Sequence, residues 1–475
     1  MENRSIYKNI SPIDHRYYKS NKKLFDELSK YISEEAGISY CISVESALIK
    51  AHMENSKIAK RDFIKIIDEL NTKITPDEIY EEEEKTQHNI RALVNVIKRY
   101  LPSEIRHFVH LGATSVDILD TATALRMRDV TRKVILPLMM DVEDLLIELA
   151  ENERGTPQVG RTHGQHAVPI TFGFAIAEYV SRFGKTISKI EELSQNLRGK
   201  LAGAVGSYNS TAMISRDPEE FEKSFLSFLG LKPSEHSTQM VEPEYLLRLL
   251  LEMNVSFGIL ANLADDLRHL QRSEISEIRE FFSEDQVGSS TMPQKRNPWN
   301  SEHVKSLWKA FSPRVVTFFM DQISEHQRDL SNSASARFTG DYIAGFAAAL
   351  NRQKKILKGL FIDRDSMKKN IVKNGDFVLA EAVYILLSIS GNSDAHEVVR
   401  KMTIECEKGK KPLLDFLKGE EKIWNTIKHQ LEVTSGIDAE LFFSNPELYR
   451  GISIKKAGDI AKQYKKNNEL IRSKI

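Results

Sequence analysis

Cysteine is nearly missing: Cys41 and Cys406 are the only two in 475 residues, and they stand far apart. Neither a disulfide framework nor a cysteine-built zinc site can be made from them, and a reducing, cytoplasmic setting fits. A surplus of charge is missing too. The 67 basic residues balance 67 acidic ones, for a formal net charge of zero, so the broad basic field of a nucleic-acid binder is not there. A local basic pocket for one anionic metabolite stays compatible with that balance. The greasiest runs, such as 134–140, are far too short to cross a bilayer. Residues 1–4, Met-Glu-Asn-Arg, lack the basic-then-apolar order of a secretory leader. No Gly-x-Gly-x-x-Gly follows a strand, which sets dinucleotide redox chemistry aside. These absences point to a cytoplasmic protein with neither nucleic acid nor membrane as a partner.

What the chain does have is helical periodicity. Across 245–278, Leu246, Leu250, Met253, Phe257, Leu260, Ala264 and Leu267 recur at alternating steps of four and three. That spacing keeps an apolar seam on one side of a long helix, and the seam fades near Gln271. Val180, Phe183, Ile187, Ile190, Leu197 and Leu201 mark a second seam. A third long helix is predicted over 116–151 with a kink at Pro137, and a fourth over 302–327 with a bend at Pro313. Between them lie loops rich in Gly, Pro and His at 155–173, 203–217 and 283–298, and no convincing sheet. Helices this long, with apolar residues also off the seams, exceed what one compact chain covers. A long antiparallel bundle within one chain is the plain reading, and a bundle completed by other subunits is the favoured one. The expected fold class is all-α, in three helical domains: 1–112, a central long-helix bundle at 113–360, and a more charged C-terminal part at 361–475.

Some motifs carry no weight. Gly184-Lys185-Thr186 ends like a phosphate-binding loop, but Tyr179 holds the place of the required glycine and the stretch lies inside a helical seam. His163 and His166 are separated by Gly164 and have no third ligand nearby, so a metal pair is not expected there. Glu81-Glu82-Glu83-Glu84 reads as a solvated face.

Four polar segments remain. They are Gln87-His88-Asn89, then His110-Leu111-Gly112-Ala113-Thr114-Ser115, then Gly160-Arg161-Thr162-His163-Gly164-Gln165-His166. The last is Gly288-Ser289-Ser290-Thr291-Met292-Pro293-Gln294-Lys295-Arg296-Asn297-Pro298, followed by Glu302. Each is placed at the end of a predicted helix, where free backbone N–H groups can meet anions. Singly, each has a plain alternative: Thr114 and Ser115 can cap a helix, Ser289 and Ser290 can be turn residues, and a lone histidine is more often packed than catalytic. Together they supply hydroxyls, an amide, a fixed cation and imidazoles. An elimination that removes a carbon-bound proton and builds charge on a carboxylate needs that mixture. The opposing reading, a silent helical scaffold, has no use for Ser289, Lys295, Asn297 and His163 together.

The Gly288 segment resembles the signature of the fumarase/aspartase superfamily, Gly-Ser-Ser-x-Met-Pro-x-Lys-x-Asn followed by Glu. Members cleave C–N or C–O bonds by β-elimination, and most release fumarate. Thr114-Ser115 and Thr162-His163 match its other two motif regions in the same order, so the resemblance covers most of the chain. Within the superfamily the chain is similar to the adenylosuccinate lyase family. Ser11-Pro12-Ile13-Asp14-His15-Arg16-Tyr17, Gly203-Ala204-Val205-Gly206-Ser207-Tyr208 and Ser237-Thr238-Gln239 carry that likeness. So does Arg328-Asp329-Leu330-Ser331-Asn332-Ser333 with Arg337. Two guanidiniums and a hydroxyl can grip a phosphate dianion, and a surface ion-pair set with Asp329 is the alternative. Two positions depart from the pattern. Asn89 stands where that family usually has Asp, and Gln294 replaces a frequent His in the manner of argininosuccinate lyases, the alternative reading.

The resemblance implies roles. Ser289 is the base, with Ser290 the competing candidate; Lys295 and Asn297 bind the carboxylate that takes up charge. His163 is the general acid and Glu302 orients it. His88, Asn89, His110, Thr114, Ser115, Thr162, Gln239, Ser290 and Met292 fall in the substrate shell. Arg16, Tyr17, Arg328, Ser333 and Arg337 hold the nucleotide end. No cofactor and no metal is implied. The implied substrates are the small-molecule purine nucleotides of purine biosynthesis, and the implied assembly is a homotetramer whose sites each draw on three subunits. The 283–298 loop is expected to close over substrate.

Overall fold

The computed structural model describes residues 5–58, 61–329, 331–373 and 375–475. Residues 1–4, read above for a leader, and Leu330 of the arginine motif lie outside the described residues. Helices dominate. Those that position the site are α1 (Glu34–Asn55), α2 (Ser115–Val130), α3 (Leu136–Asn152), α4 (Phe172–Gln195), α5 (Glu244–Leu270), α6 (Trp299–Phe311), α7 (Thr339–Lys358), α8 (Arg364–Ile371) and α9 (Ser453–Arg472). Helices α3 to α7 and α9 pack as one long bundle, which agrees with the all-α expectation.

Periodic burial explains the bundle. On α5 the predicted seam residues Leu250, Met253, Phe257, Leu260, Ala264 and Leu267 are buried and Leu246 is half-buried, and the helix stops at Leu270 where the seam fades. The Phe257 ring meets Phe346 of α7 at 5.3 Å between centroids. Against the expectation that every apolar run is too short, α5 is by length and composition able to cross a membrane. It is a core helix nonetheless, with 56% of that window buried inside the bundle.

Both predicted proline breaks occur. The 116–151 segment is two helices, α2 and α3, joined by a π turn at Thr131–Ile135. Pro137 has no N–H for the carbonyl four residues back, and its ring crowds that carbonyl; the widened turn relieves both. Pro313 separates α6 from a short helix at Arg314–Met320. That helix ends short of the predicted limit at 327. Farther on, Asp329 accepts backbone N–H groups of Glu325 and Ser331 at 3.1 and 2.9 Å, which holds the stretch in turns that compete with helix.

The expected absence of a sheet is overturned at 155–173. There β1 (Pro157–Thr162) and β2 (Gln165–Thr171) form an antiparallel hairpin. Its two-residue loop is His163-Gly164, both at positive φ, 54° and 75°, the backbone that matches the twist of paired strands. The register shifts between Val159 and Arg161. At the intervening Gly160 a Cβ would sit 2.9 Å from the Val168 carbonyl, so only glycine lets the strands approach. A shorter parallel pairing joins β3 (Arg198–Gly199) to β4 (Lys232–Pro233).

A second hydrophobic core gathers Leu379, Val383, Leu413, Leu417, Ile427 and Val159, whereas α9 buries Ala457, Ala461, Tyr464 and Ile471 in the main bundle. The acidic run departs from a solvated face at one position. Glu82 is buried and accepts from Arg99 and, at 2.8 Å, from Asn95.

Candidate active site

The signature loop folds back on itself. At Gly288 a Cβ would lie 2.1 Å from the Lys295 carbonyl oxygen, so this close approach requires glycine. Asn297 Nδ2 donates to the Gly288 carbonyl at 3.1 Å and closes the turn. Inside it, Ser289 Oγ accepts the backbone N–H groups of Thr291 and Met292 at 3.3 and 3.0 Å. Ser290, Met292 and Lys295 are exposed. Among the described residues the Lys295 ammonium has no acidic partner. The loop runs into α6, whose start is capped by Glu280: its carboxylate accepts Asn300 N–H at 3.2 Å and Ser301 N–H at 2.8 Å. Glu302 lies in the first turn of α6, facing solvent.

One residue on, His303 Nε2 lies 3.0 Å from the Tyr17 hydroxyl, which docks the turn carrying Arg16 and Tyr17 onto α6. Burial, then Arg352 and Arg16, lowers the His303 pKa; burial raises that of Tyr17. Both shifts favour a neutral imidazole accepting the phenol proton. Arg352 donates to Asn300 Oδ1 at 2.7 Å and stacks 5.0 Å from the Trp299 ring. Sequence reasoning missed His303 and Arg352; the only signal was that His303 adjoins Glu302.

A second group forms where α2 begins. The Thr114 N–H donates to Asp117 at 2.7 Å. Fully buried Asp117 also takes the Lys200 ammonium and the N–H groups of Ala202 and Gly203, at 3.2 and 3.4 Å. That buried pair pins the Thr114-Ser115 helix start. His110 is held by Glu45 of α1 through its backbone N–H at 3.0 Å and Nδ1 at 2.6 Å, which leaves Nε2 unengaged among the described residues. The Gln239 N–H donates to the Gln327 carbonyl at 3.2 Å, and Val241 N–H to Asp120 of α2 at 2.9 Å. These bonds bring Gln239 and Arg328 beside α2. Burial pushes the Asp120 carboxyl up to about 6. Arg328 forms no ion pair with Asp329 among the described residues: its Nη2 reaches Asn332 at 3.2 Å and its Nε is buried without a partner. Ser333 and Arg337 are exposed.

The third group is the hairpin. Thr162 and His163 stand at its exposed tip, not at a helix end as expected. Its base is anchored by buried Glu277, which accepts from Arg161, Gln158 and Asn370 of α8. His88 is the N-cap of the helix Asn89–Tyr100, its Nδ1 accepting Arg91 N–H at 3.3 Å, and Asn89 Oδ1 bonds Ile90 N–H at 2.7 Å. Among the described residues, no hydrogen bond or ion pair joins His163 to Ser289, Lys295 or Glu302, nor His88 to His110. One chain thus presents the candidate residues in separate groups.

Residues 15–310 match the family described as Lyase, and residues 324–436 that described as Adenylosuccinate lyase C-terminal. The adenylosuccinate lyase of Pyrococcus abyssi is 32% identical over 429 residues, which span 89% of this chain and 93% of that one. Its counterpart from Pyrococcus horikoshii is 32% identical over 420 residues, 87% and 91% of the two chains. The crystal structure of 3-carboxy-cis,cis-muconate lactonizing enzyme from Pseudomonas putida superposes with a TM-score of 0.79 at 23% identity, covering 93% of this chain and 97% of that one, a likeness of fold. Sequence match along most of the length, helical fold and signature loop agree: the chain belongs to the adenylosuccinate lyase family.

Proposed function

We propose that this lyase releases fumarate from succinylated purine nucleotides: from adenylosuccinate, leaving AMP, and from succinylaminoimidazole carboxamide ribotide, leaving the aminoimidazole carboxamide ribotide. The Ser289 alkoxide takes the proton from the β-carbon of the succinyl group. The electron pair moves into the adjoining carboxylate, then back to form the carbon–carbon double bond as the C–N bond breaks. His163 gives a proton to the departing nitrogen as general acid. Lys295 and Asn297 hold the charged carboxylate, Glu302 orients His163, and Arg16, Tyr17, Arg328, Ser333 and Arg337 grip the nucleotide end.

The observation that carries this reading is Ser289 Oγ accepting two backbone N–H groups. Donors fixed on a hydroxyl oxygen also stabilise its alkoxide, which supports Ser289 over Ser290. Separate groups on one chain meet when copies assemble, so a homotetramer accounts for the exposure of Thr162, His163, Lys295 and Arg337. The same reading keeps three helical parts and a cytoplasmic setting.

The test is direct. Adenylosuccinate is added and the ultraviolet absorbance followed; an unchanged spectrum with the parent protein overturns the activity. Ser289→Ala is expected to bind substrate without turning it over, and near-parental turnover would remove Ser289 as base.

A further inference from the structure

Outside the three groups lies a cavity of about 460 Å³, within the roughly 300–1,000 Å³ typical of small-molecule sites. Leu231, Pro233 and the Tyr245 ring give it an apolar floor, while Arg198, Lys223 and Lys232 line it with positive charge against one acid, Glu235. Lys223 and Lys232 reach solvent, whereas Arg198 is half-buried. The Arg198 guanidinium sits 5.1 Å from the Tyr245 ring centroid and donates to Asn196 Oδ1, so its fork is held in place. Lys232 has no ion-pair or hydrogen-bond partner among the described residues. Lys223 meets only Glu220, at 3.5 Å between exposed side chains, a pairing of little strength.

Anion and ring recognition are thus combined. A fixed guanidinium and an ammonium suit a phosphate dianion through charge-assisted hydrogen bonds. The apolar floor and the guanidinium plane offer a flat ring a face to stack on. We infer that this cavity binds a phosphate monoester bearing an aromatic group, a nucleoside monophosphate being the biological member of that class.

The cavity's position gives the ligand leverage. Arg198 in β3 continues into Lys200, which holds Asp117 and with it the Thr114 helix start. Lys232 in β4 continues into the segment carrying Ser237 and Gln239. A ligand spanning β3 and β4 therefore stiffens two segments of the proposed substrate shell from behind. That consequence rests on the proposed activity; the binding does not.

Calorimetric titration of the full assembled protein with phenyl phosphate separates the two, because it needs no turnover. Binding is expected at the cavity and to weaken about tenfold or more in Lys232→Glu and in Arg198→Ala, as loss of a charged hydrogen bond entails. Arg198→Lys, which keeps the charge and loses the fork, should fall between, with circular dichroism unchanged throughout. Arg337→Ala leaves this binding intact. Three results overturn the inference: no binding at millimolar probe, binding lost in Arg337→Ala but indifferent to Lys232→Glu, or inorganic phosphate binding as tightly as phenyl phosphate.

Discussion

Replacing Glu277 by alanine removes a fully buried carboxylate that accepts from Arg161 Nη1 at 3.2 Å, Gln158 Nε2 at 2.7 Å and Asn370 Nδ2 at 2.8 Å. Its backbone is also engaged: its N–H donates to Leu270 at the end of α5, and its carbonyl accepts from Asp363 before α8. Three segments meet on this one residue. The Arg161 side chain is only 16% exposed, so the variant leaves a guanidinium charged, largely desolvated and unpaired, a loss of about 3–5 kcal/mol. Glu277→Gln keeps the volume and one acceptor but turns an NH₂ toward other donors, for about 1.5–3 kcal/mol. Removing both charges, as Glu277→Leu with Arg161→Met, is expected to cost less than Glu277→Ala alone. Denaturant unfolding followed by circular dichroism reads these differences. Steady-state kinetics on the folded Glu277→Gln variant should show a reduced kcat, since His163 rides on the hairpin that Glu277 anchors. An alanine variant within about 0.5 kcal/mol of the parent, the scatter of ordinary surface changes, refutes the reasoning. So does a double variant whose loss equals the sum of the single ones.

Gly288→Ala places a methyl against the Lys295 carbonyl, so the loop must open; turnover is expected to fall about 100-fold, the cost of an ångström-scale misplacement, with the helical content unchanged, and parental kcat would refute it. Asp120 holds its proton more tightly folded, at about 6 against 3.8 for the free side chain. The folded state therefore binds more protons between those values, and the contribution is lost as pH rises from about 4 to about 6. Asp120→Asn should flatten that part of the stability curve and raise stability at pH 7; parallel curves for parent and variant would count against the buried carboxyl. His303→Phe deprives Tyr17 of its acceptor and is expected to raise KM for the nucleotide substrate with kcat held, while His303→Gln restores it; an unchanged KM in the phenylalanine variant dismisses the contact.

What was legible in the sequence is what depends on neighbours along the chain. The α5 seam, its end at Leu270 and the breaks at Pro137 and Pro313 follow from spacing and from a missing N–H, both local facts. The Gly288 loop was legible for the same reason, since glycine, two hydroxyls, lysine and asparagine are contiguous there. The hairpin was not. A glycine bulge at Gly160 and a proline at Pro169 interrupt the alternation that marks a strand, and His163-Gly164 is a less familiar turn pair than Asn-Gly, although it demands the same left-handed backbone. Nor were the supports of the site: Tyr17 with His303, Arg161 with Glu277, His110 with Glu45 and Asp117 with Lys200 are pairings that only the folded bundle creates. The division has a physical cause. The residues proposed to touch substrate sit on segments whose backbone must take a special shape, and those shapes leave glycine, proline and capping signatures in sequence. Residues that hold those segments in place need only a complementary charge at the right point in space, and many positions along a chain can supply one.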